Sequence, residues 1–164
     1  MSKGAVSTNP GTVARTRATT HVHPDDIPFA ELHRPWGTTY MKLLHADLVA
    51  DTFTNIIRWP AGLQLPKHRH TGTVSAWTFS GAWRYLEYDW VATAGSYVFE
   101  PVGTVHTLQV EEDTEAMFVT NGGFIYYGPD GEMTTYSDAA SILASVNEAL
   151  AVQGLELPPG VVTS

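Results

Sequence analysis

Three histidines are the residues in this chain whose spacing best suits metal chemistry. His68 and His70 lie two positions apart, and His106 follows much later in the chain. Because residues i and i+2 of an extended strand point to the same face, the first two imidazoles can bind one ion together. The chain contains no cysteine, so thiolate ligands are excluded. Two imidazoles on one strand and a third on another therefore predict a nitrogen-rich metal site.

Composition restricts the kind of protein that carries this site. A chain of 164 residues is long enough to bury one core without disulfides. Its formal net charge of −8, with charged residues at only 16%, argues against nucleic acid or an anionic membrane as a partner. No apolar run is long enough to span a bilayer, and the N-terminal stretch lacks an apolar signal core. These features predict a cytoplasmic protein.

Short strand-like segments separated by glycine and proline fill the middle of the chain. They are rich in β-branched and aromatic residues, and Ser80-Gly81 is predicted to be the turn of a hairpin. The predicted strands cover residues 38–45, 51–59, 74–79, 82–88, 96–100, 105–110, 115–120, 124–127 and 133–136. This pattern predicts an all-β barrel or sandwich with jelly-roll closure. Eighteen aromatic residues (five Trp, seven Tyr and six Phe) suggest an aromatic-lined cavity inside it.

The two ends of the chain differ from this middle region. Residues 1–24 contain few large apolar groups and are predicted to form a flexible N-terminal arm. Residues 25–136 form the predicted barrel, with a linker leading into the first strand. Residues 137–164 form a predicted helix and tail: Ser137 or Asp138 is the N-cap, an apolar stripe follows, and Gly154 ends the helix.

The other four histidines are assigned no metal role. His21 and His23 share the i, i+2 spacing but precede a turn signal without a strand framework. His33 and His45 fall outside the motif and are expected to be surface or hydrogen-bonded core residues.

The glycines and prolines around the metal-site histidines are spaced as in the cupin superfamily. The first motif reads G-x5-H-x-H-x10-G from Gly62 to Gly81, and the second reads G-x5-P-x-G-x2-H from Gly95 to His106. This resemblance covers about residues 38–128. It implies a single-domain cupin, a jelly-roll β-barrel, followed here by a C-terminal α-helix.

Two positions depart from the general cupin pattern. Val74 stands where the first motif usually has glutamate, and Val110 stands where the second usually ends in asparagine. Without the glutamate, three neutral imidazoles remain, which leaves more open positions on the metal and a stronger Lewis acid. The resemblance implies Fe(II) as the cofactor, while Zn, Ni or Mn also suit three imidazoles.

A three-histidine site resembles that of the cupin dioxygenases that cleave C–C bonds beside carbonyls. Residues 68–74 and 95–101, together with the tail around Asp130-Gly131 and Ser137-Asp138, are similar to the 2,4'-dihydroxyacetophenone dioxygenase group. The resemblance implies a non-haem Fe(II)-dependent dioxygenase that cleaves an aryl α-hydroxyketone or a β-diketone to carboxylic acids. The implied partners are a small-molecule substrate, O2 and further copies of the chain in a homodimer or homotetramer.

Glu100 and the strand aromatics complete the predicted site. The acetylacetone-cleaving relatives have a glutamate beside the metal that interacts with an arginine, and Glu100 and Arg84 are the candidates here. Such a glutamate can orient water or take the substrate proton, although an ion pair closing the barrel is an alternative. Aromatic side chains on predicted strands are expected to line the substrate pocket, chiefly Trp77, Tyr97 and Phe118.

Two other functions stay open at this point. One is a metal-binding sensor or binding module without turnover, similar to the zinc cupin domains of anti-sigma factors. The other is a cupin isomerase or hydrolase that uses Zn, Ni or Mn.

Overall fold

The structure of the protein is a computed structural model, and it describes residues 19–163. Residues 1–18 of the predicted arm lie outside the described residues. The elements run from a 3-10 turn (Pro24–Asp26) through strands β1 (Ala30–Arg34), β2 (Gly37–Asp47), β3 (Thr52–Trp59), β4 (His68–His70), β5 (Val74–Tyr85), β6 (Ala92–Thr93), β7 (Tyr97–Glu100), β8 (Val105–His106), β9 (Leu108–Asn121), β10 (Phe124–Tyr127) and β11 (Met133–Ser137) to helix α1 (Ala139–Val152) and strand β12 (Val162–Thr163). The predicted all-β class with a C-terminal helix is confirmed.

The strands form two sheets that face each other. The larger sheet has the order β1-β2-β3-β9-β5-β6, with β7 also paired to β5 and β12 paired in parallel to β2. The smaller sheet has the order β11-β10-β4-β8. Phe53 of β3 packs edge-to-face on Phe124 of β10, with ring centroids 5.9 Å apart. The apolar core therefore lies between the sheets.

Strand β5 corrects the predicted hairpin. It runs unbroken through Ser80 and Gly81, and its register against β9 shifts several times between Thr78 and Trp83. Gly81 has φ +79°, and a Cβ there would lie 2.2 Å from the carbonyl oxygen of Asp113. The Ser80-Gly81 signal therefore marks a bulge against β9 and not a turn.

The bulge reverses which residues of β5 face the core. Before it, Val74, Ala76 and Thr78 are buried, whereas after it Trp83 and Tyr85 are buried. Successive residues of a strand point to opposite faces of the sheet, so one added residue exchanges the inward-facing and outward-facing positions. Because of this reversal, the side chain of Tyr85 points toward the metal site and that of Arg84 points away from it.

Strand β1 lies where the sequence predicts a linker, and that prediction is wrong. Ala30 and Leu32 are buried, and Ala30 pairs with Met41 of β2. The turn into β2 needs Gly37, which has φ +130°. Residues 30–34 are too short and too mixed in polarity to signal a strand on their own.

Helix α1 begins at the predicted N-cap, Asp138, and buries the predicted apolar stripe. The Asp138 side chain accepts a hydrogen bond from the Ser141 backbone N–H at 2.8 Å, and the Ser141 hydroxyl accepts one from the Asp138 backbone N–H at 2.7 Å. The helix lies against β1 and β2 on the outside of the large sheet. Its buried residues are Ala139, Ile142, Val146 and Leu150. Within residues 19–163, no helix is long and apolar enough to cross a membrane.

Candidate metal centre

Strand pairing brings the three histidines together. His68 and His70 are buried on β4 while Arg69 between them is exposed, as the strand period requires. His106 on β8 lies directly opposite His68 in the antiparallel pair. Side chains at opposed positions share a face, so all three imidazoles point into the space between the sheets. The expected convergence of the three residues is therefore observed.

The nitrogens of the cluster lie at distances suited to one ion. One ligand nitrogen from each histidine lies within 4.8 Å of the others. His70 Nε2 and His106 Nε2 are 2.9 Å apart. Two nitrogens each bonded to one ion at about 2.1 Å and at a right angle would be separated by about 3.0 Å. The observed distance matches that separation.

A backbone contact fixes the orientation of His68. Its Nδ1 lies 2.9 Å from the carbonyl oxygen of Pro66, which can only accept a hydrogen bond. Nδ1 therefore carries the proton, and Nε2 keeps its lone pair for a metal. Pro66 lies two residues before His68, the first residue of β4, so the segment that leads into β4 sets this tautomer.

Glu100 adds a carboxylate to the three imidazoles. Its Oε2 lies 2.8 Å from His70 Nε2 and 3.4 Å from His106 Nε2. Oε1 accepts a hydrogen bond from the Tyr85 hydroxyl at 2.5 Å. Although Oε2 is close to His70, it makes no aligned hydrogen bond, and Glu100 is only 3% exposed. A buried carboxylate oxygen without a donor is costly, so this atom suits a cation.

The register of β5 and β7 explains how Glu100 reaches the site. Val74 and Glu100 are directly opposed in this antiparallel pair. Val74 occupies the position where the general cupin motif has its glutamate. Glu100 on β7 therefore lies directly across the β-ladder from that position and faces the histidines. With Glu100 included, the donor set is three imidazoles and one carboxylate, which fits a divalent metal ion.

Burial keeps the cluster in the form that binds metal. Desolvation and the neighbouring His70 lower the pKa of His68 to about 4. Desolvation, together with His68 and His70, lowers the pKa of His106 to about 2. Desolvation and the Glu100 carboxylate raise the pKa of Tyr85 above its usual value, so its hydroxyl stays protonated and donates to Glu100. At neutral pH, His68 and His106 are therefore neutral imidazoles, each with a lone pair available for a metal ion.

Arg84 does not take the predicted place beside Glu100. It forms an ion pair with Glu111 on the surface, with Nε and Oε1 2.7 Å apart and both side chains 40% exposed. The β5 bulge turns Arg84 outward and its neighbour Tyr85 inward. Tyr85 is thus the partner of Glu100 that could not be predicted from the sequence. The sequence does not show which residues of β5 face inward after the bulge.

Tyr85 contacts a second member of the cluster. Its ring stacks on the His106 imidazole with centroids 3.5 Å apart and planes 7° apart. Phe124 of β10 packs on His70 at 4.8 Å, and Tyr126 lies 5.6 Å from His68. These aromatic neighbours restrict the orientations of all three imidazoles. Phe124 and Tyr126 are two positions apart on β10, and they pair with His70 and His68 of β4. Their i, i+2 spacing could have identified them from the sequence as residues on one face of a strand.

Two spaces adjoin the cluster. An inner cavity of about 80 Å³ lies between the sheets, bordered by His68 and His70. An outer pocket of about 390 Å³ lies between β7 and the loop after β5, and it reaches His106. Tyr85 and Glu100 border both spaces.

The structure separates the three aromatics predicted to line a pocket. Phe118 borders the inner cavity, and Tyr97 borders the outer pocket. Trp77 borders neither of them. It stacks on Tyr97 at 5.0 Å on the outer face of β5 and is 37% exposed, because it lies on the opposite face from the buried Ala76. Of the three predicted pocket aromatics, Trp77 is thus the one that lies away from both spaces.

Comparison with known proteins places the chain among cupins. Residues 17–125 match the sequence family described as the ChrR cupin-like domain. An RmlC-like cupin protein from Ralstonia eutropha JMP134 is similar in structure, with a TM-score of 0.82, 27% identity, and coverage of 93% of this chain and 99% of that one. A second Ralstonia eutropha JMP134 protein, with a cupin-like fold, gives a TM-score of 0.82, 29% identity, and coverage of 93% and 96%.

A more distant structure carries an assigned activity. The acetylacetone dioxygenase from Acinetobacter johnsonii gives a TM-score of 0.70 over 91% of this chain and 99% of that one, at 16% identity. At this identity, the likeness shows a shared fold. No curated protein sequence matches the chain significantly.

Proposed function

The chain belongs to the family of ChrR cupin-like domains, and from its buried site we propose that it is a non-haem Fe(II)-dependent dioxygenase. The proposed reaction cleaves the C–C bond beside a carbonyl in an α-hydroxyketone or a β-diketone. One observation carries the proposal: three imidazoles and one carboxylate oxygen converge in a buried site beside an aromatic-lined pocket. The acetylacetone dioxygenase with the same fold supplies the precedent for the activity.

The residues that would hold the ion are His68, His70, His106 and Glu100. When bound, a ferrous ion supplies Lewis acidity toward carbonyl oxygens and a redox centre for O2. Zn, Ni and Mn suit the same donors, so the choice of iron is part of the proposal.

Glu100 has the second role in the proposal. Its Oε2 faces the cluster, whereas its Oε1 is held by the Tyr85 hydroxyl at 2.5 Å. With Oε2 directed at the ion, the remaining lone pair of Oε1 can accept the proton from the carbon beside the substrate carbonyl, which has to be removed before oxygen adds to that carbon. Tyr85 keeps the carboxylate aimed, and Phe124 and Phe118 line the apolar inner cavity beside it.

The overall reaction balances with both oxygen atoms of O2 entering the products. For an α-hydroxyketone with a terminal hydroxymethyl group, the C–C bond breaks between the carbonyl carbon and the hydroxymethyl carbon. The carbonyl fragment becomes a carboxylic acid and the hydroxymethyl fragment becomes formic acid. No external reductant is needed, because the two electron pairs that reduce O2 come from the substrate.

An oxygen-uptake assay tests this proposal. The chain is loaded with Fe(II) under nitrogen and mixed with aerated buffer containing 2-hydroxyacetophenone or acetylacetone, and the products are followed by NMR. We expect one O2 to be consumed per substrate molecule, with formation of carboxylic acid. O2 uptake and acid formation should both be lost in His106→Gln. If the iron-loaded protein consumes no O2 with either substrate, the proposed activity is wrong.

The family itself favours a second candidate, a metal-binding module without turnover. The matched family is described by the ChrR cupin-like domain, and the same four donors also suit zinc. The candidate predicts a tightly bound zinc ion and no oxygen uptake with any added metal. Metal content measured before the oxygen assay separates the two functions.

A further inference from the structure

The two spaces beside the cluster differ in what they can hold. The inner cavity is about 80 Å³, whereas an apolar cavity of about 150 Å³ is known to hold one benzene. The outer pocket, at about 390 Å³, lies within the range of about 300–1,000 Å³ that is typical of ligand pockets. An aromatic ring therefore fits only the outer of these two spaces.

The wall of the outer pocket offers flat aromatic surfaces. Tyr88 and Trp90, on the loop between β5 and β6, are nearly parallel, with planes 14° apart and centroids 5.7 Å apart. Trp90 is fixed from behind by edge-to-face contacts with Trp83 at 5.8 Å and Tyr85 at 5.7 Å. It is nevertheless 36% exposed. A supported but accessible indole favours stacking by a planar ligand.

The charges of the pocket select the class of ligand. Its lining contains no lysine or arginine, and its charged member is Glu100, at the end next to His106. Acidic Glu87 and Asp89 flank Tyr88 in the same exposed loop. Away from the ion proposed at the Glu100 and His106 end, a carboxylate ligand would meet no side-chain cation to pair with it. The lining thus suits a neutral ligand.

We propose that the outer pocket is the site where a neutral aryl ketone binds, with its ring on Trp90 and its carbonyl end toward Glu100 and His106. This inference rests on the proposed function for the assignment of a ketone. It adds the position of the substrate ring, outside the space between the sheets, and identifies Trp90 as the residue that selects aryl substrates.

Ligand binding is measured on the full chain as purified, under nitrogen, so that no turnover takes place. The probes are acetophenone, acetylacetone as a small non-aryl ketone, and benzoate as an aryl anion. Protein-detected NMR follows the tryptophan indole N–H signals, assigned by single Trp→Phe variants. Trp90→Ala is compared with Trp77→Ala, since Trp77 has similar exposure, 37% against 36%, but borders neither space.

Acetophenone should shift the Trp90 signal in preference to that of Trp77. Its affinity should fall about tenfold in Trp90→Ala, as expected for loss of a stacking partner, and stay unchanged in Trp77→Ala. Benzoate should bind at least about tenfold more weakly than acetophenone. Equal affinity of acetophenone for the wild type and both variants, or benzoate binding as tightly as acetophenone, would overturn the proposal. If Trp90→Ala fails to fold, the wild-type signal shifts decide alone.

The outcome is independent of the dioxygenase assay. Acetophenone binding at Trp90 without any O2 uptake would refute the proposed reaction and retain the pocket. Conversely, O2 uptake with acetylacetone, without acetophenone binding at Trp90, would refute the pocket and retain the reaction.

Discussion

Replacing Glu100 with glutamine tests whether the fourth donor is built for a cation. The substitution keeps the size of the side chain and lets Tyr85 donate to the amide oxygen, but it removes the negative charge. The carboxylate is 3% exposed, and its Oε2 makes no aligned hydrogen bond to the protein. We therefore expect opposite effects of Glu100→Gln on the stability of the metal-free and metal-bound protein.

The magnitudes follow from the two contacts of the carboxylate. Relieving an unsatisfied buried group gains about 1–3 kcal/mol, whereas weakening the charge-assisted bond from Tyr85 costs about 1 kcal/mol. The metal-free variant should therefore gain about 1 kcal/mol, or roughly 2–4 °C in Tm for a chain of this size. Metal affinity should fall roughly 10–100-fold, which reduces the stabilisation by metal by about 1.4–2.7 kcal/mol.

Thermal denaturation at pH 8.5, with EDTA or with excess Zn²⁺, measures both effects. Glu111→Gln is the control, because Glu111 is 40% exposed and pairs only with Arg84 among the contacts of the described residues. A Glu100→Gln protein that is less stable without metal and keeps the full zinc-induced shift would refute this reasoning.

Four further predictions follow from the same contacts. The contribution of His68 to metal-free stability should fall by about 3 kcal/mol as the pH drops from 6.5 to about 4, because the unfolded chain protonates His68 at a higher pH than the folded chain does, and His106 should add a further loss; urea titrations should show a weaker pH dependence in His68→Gln, and an unchanged one would contradict the assignment. Tyr85→Phe should cost about 1.5–3 kcal/mol in urea unfolding, whereas Arg84→Ala on the surface should stay within about 0.5 kcal/mol; equal effects would contradict the inward position of Tyr85. Gly81→Ala should cost about 2 kcal/mol or more, because φ is +79° and the Cβ would meet Asp113, and a neutral result would contradict the bulge. Finally, we propose that copies of the chain associate; light scattering should show a homodimer or homotetramer, and a monomeric wild type would contradict this.

The pairing of His68 with His70 could be predicted from sequence because its geometry is local, whereas His106, brought in by the pairing of β8 with β4, was identified from the cupin motif spacing. An i, i+2 pair on a strand shares a face whatever the strand pairs with, so His68 and His70 required no knowledge of the rest of the fold. Helix α1 was predictable for the same reason, since its cap at Asp138 and its apolar stripe repeat within the helix itself.

The neighbours of the site could not be predicted because they depend on long-range register. Ser80-Gly81 suits either a turn or a bulge, and only pairing with β9 decides between them. That choice sets the parity of β5, and with it whether Arg84 or Tyr85 meets Glu100. The role of Glu100 likewise depends on its position opposite Val74, which is a contact between different strands.

The central claim is that three imidazoles and the Glu100 carboxylate on β7 hold one ion. An anomalous-diffraction map from crystals of the iron-loaded protein tests it most directly. One peak is expected, at about 2.0–2.2 Å from one nitrogen of each of His68, His70 and His106 and from Oε2 of Glu100. The absence of a peak among these residues, or an ion bound there with Glu100 turned away, would contradict it.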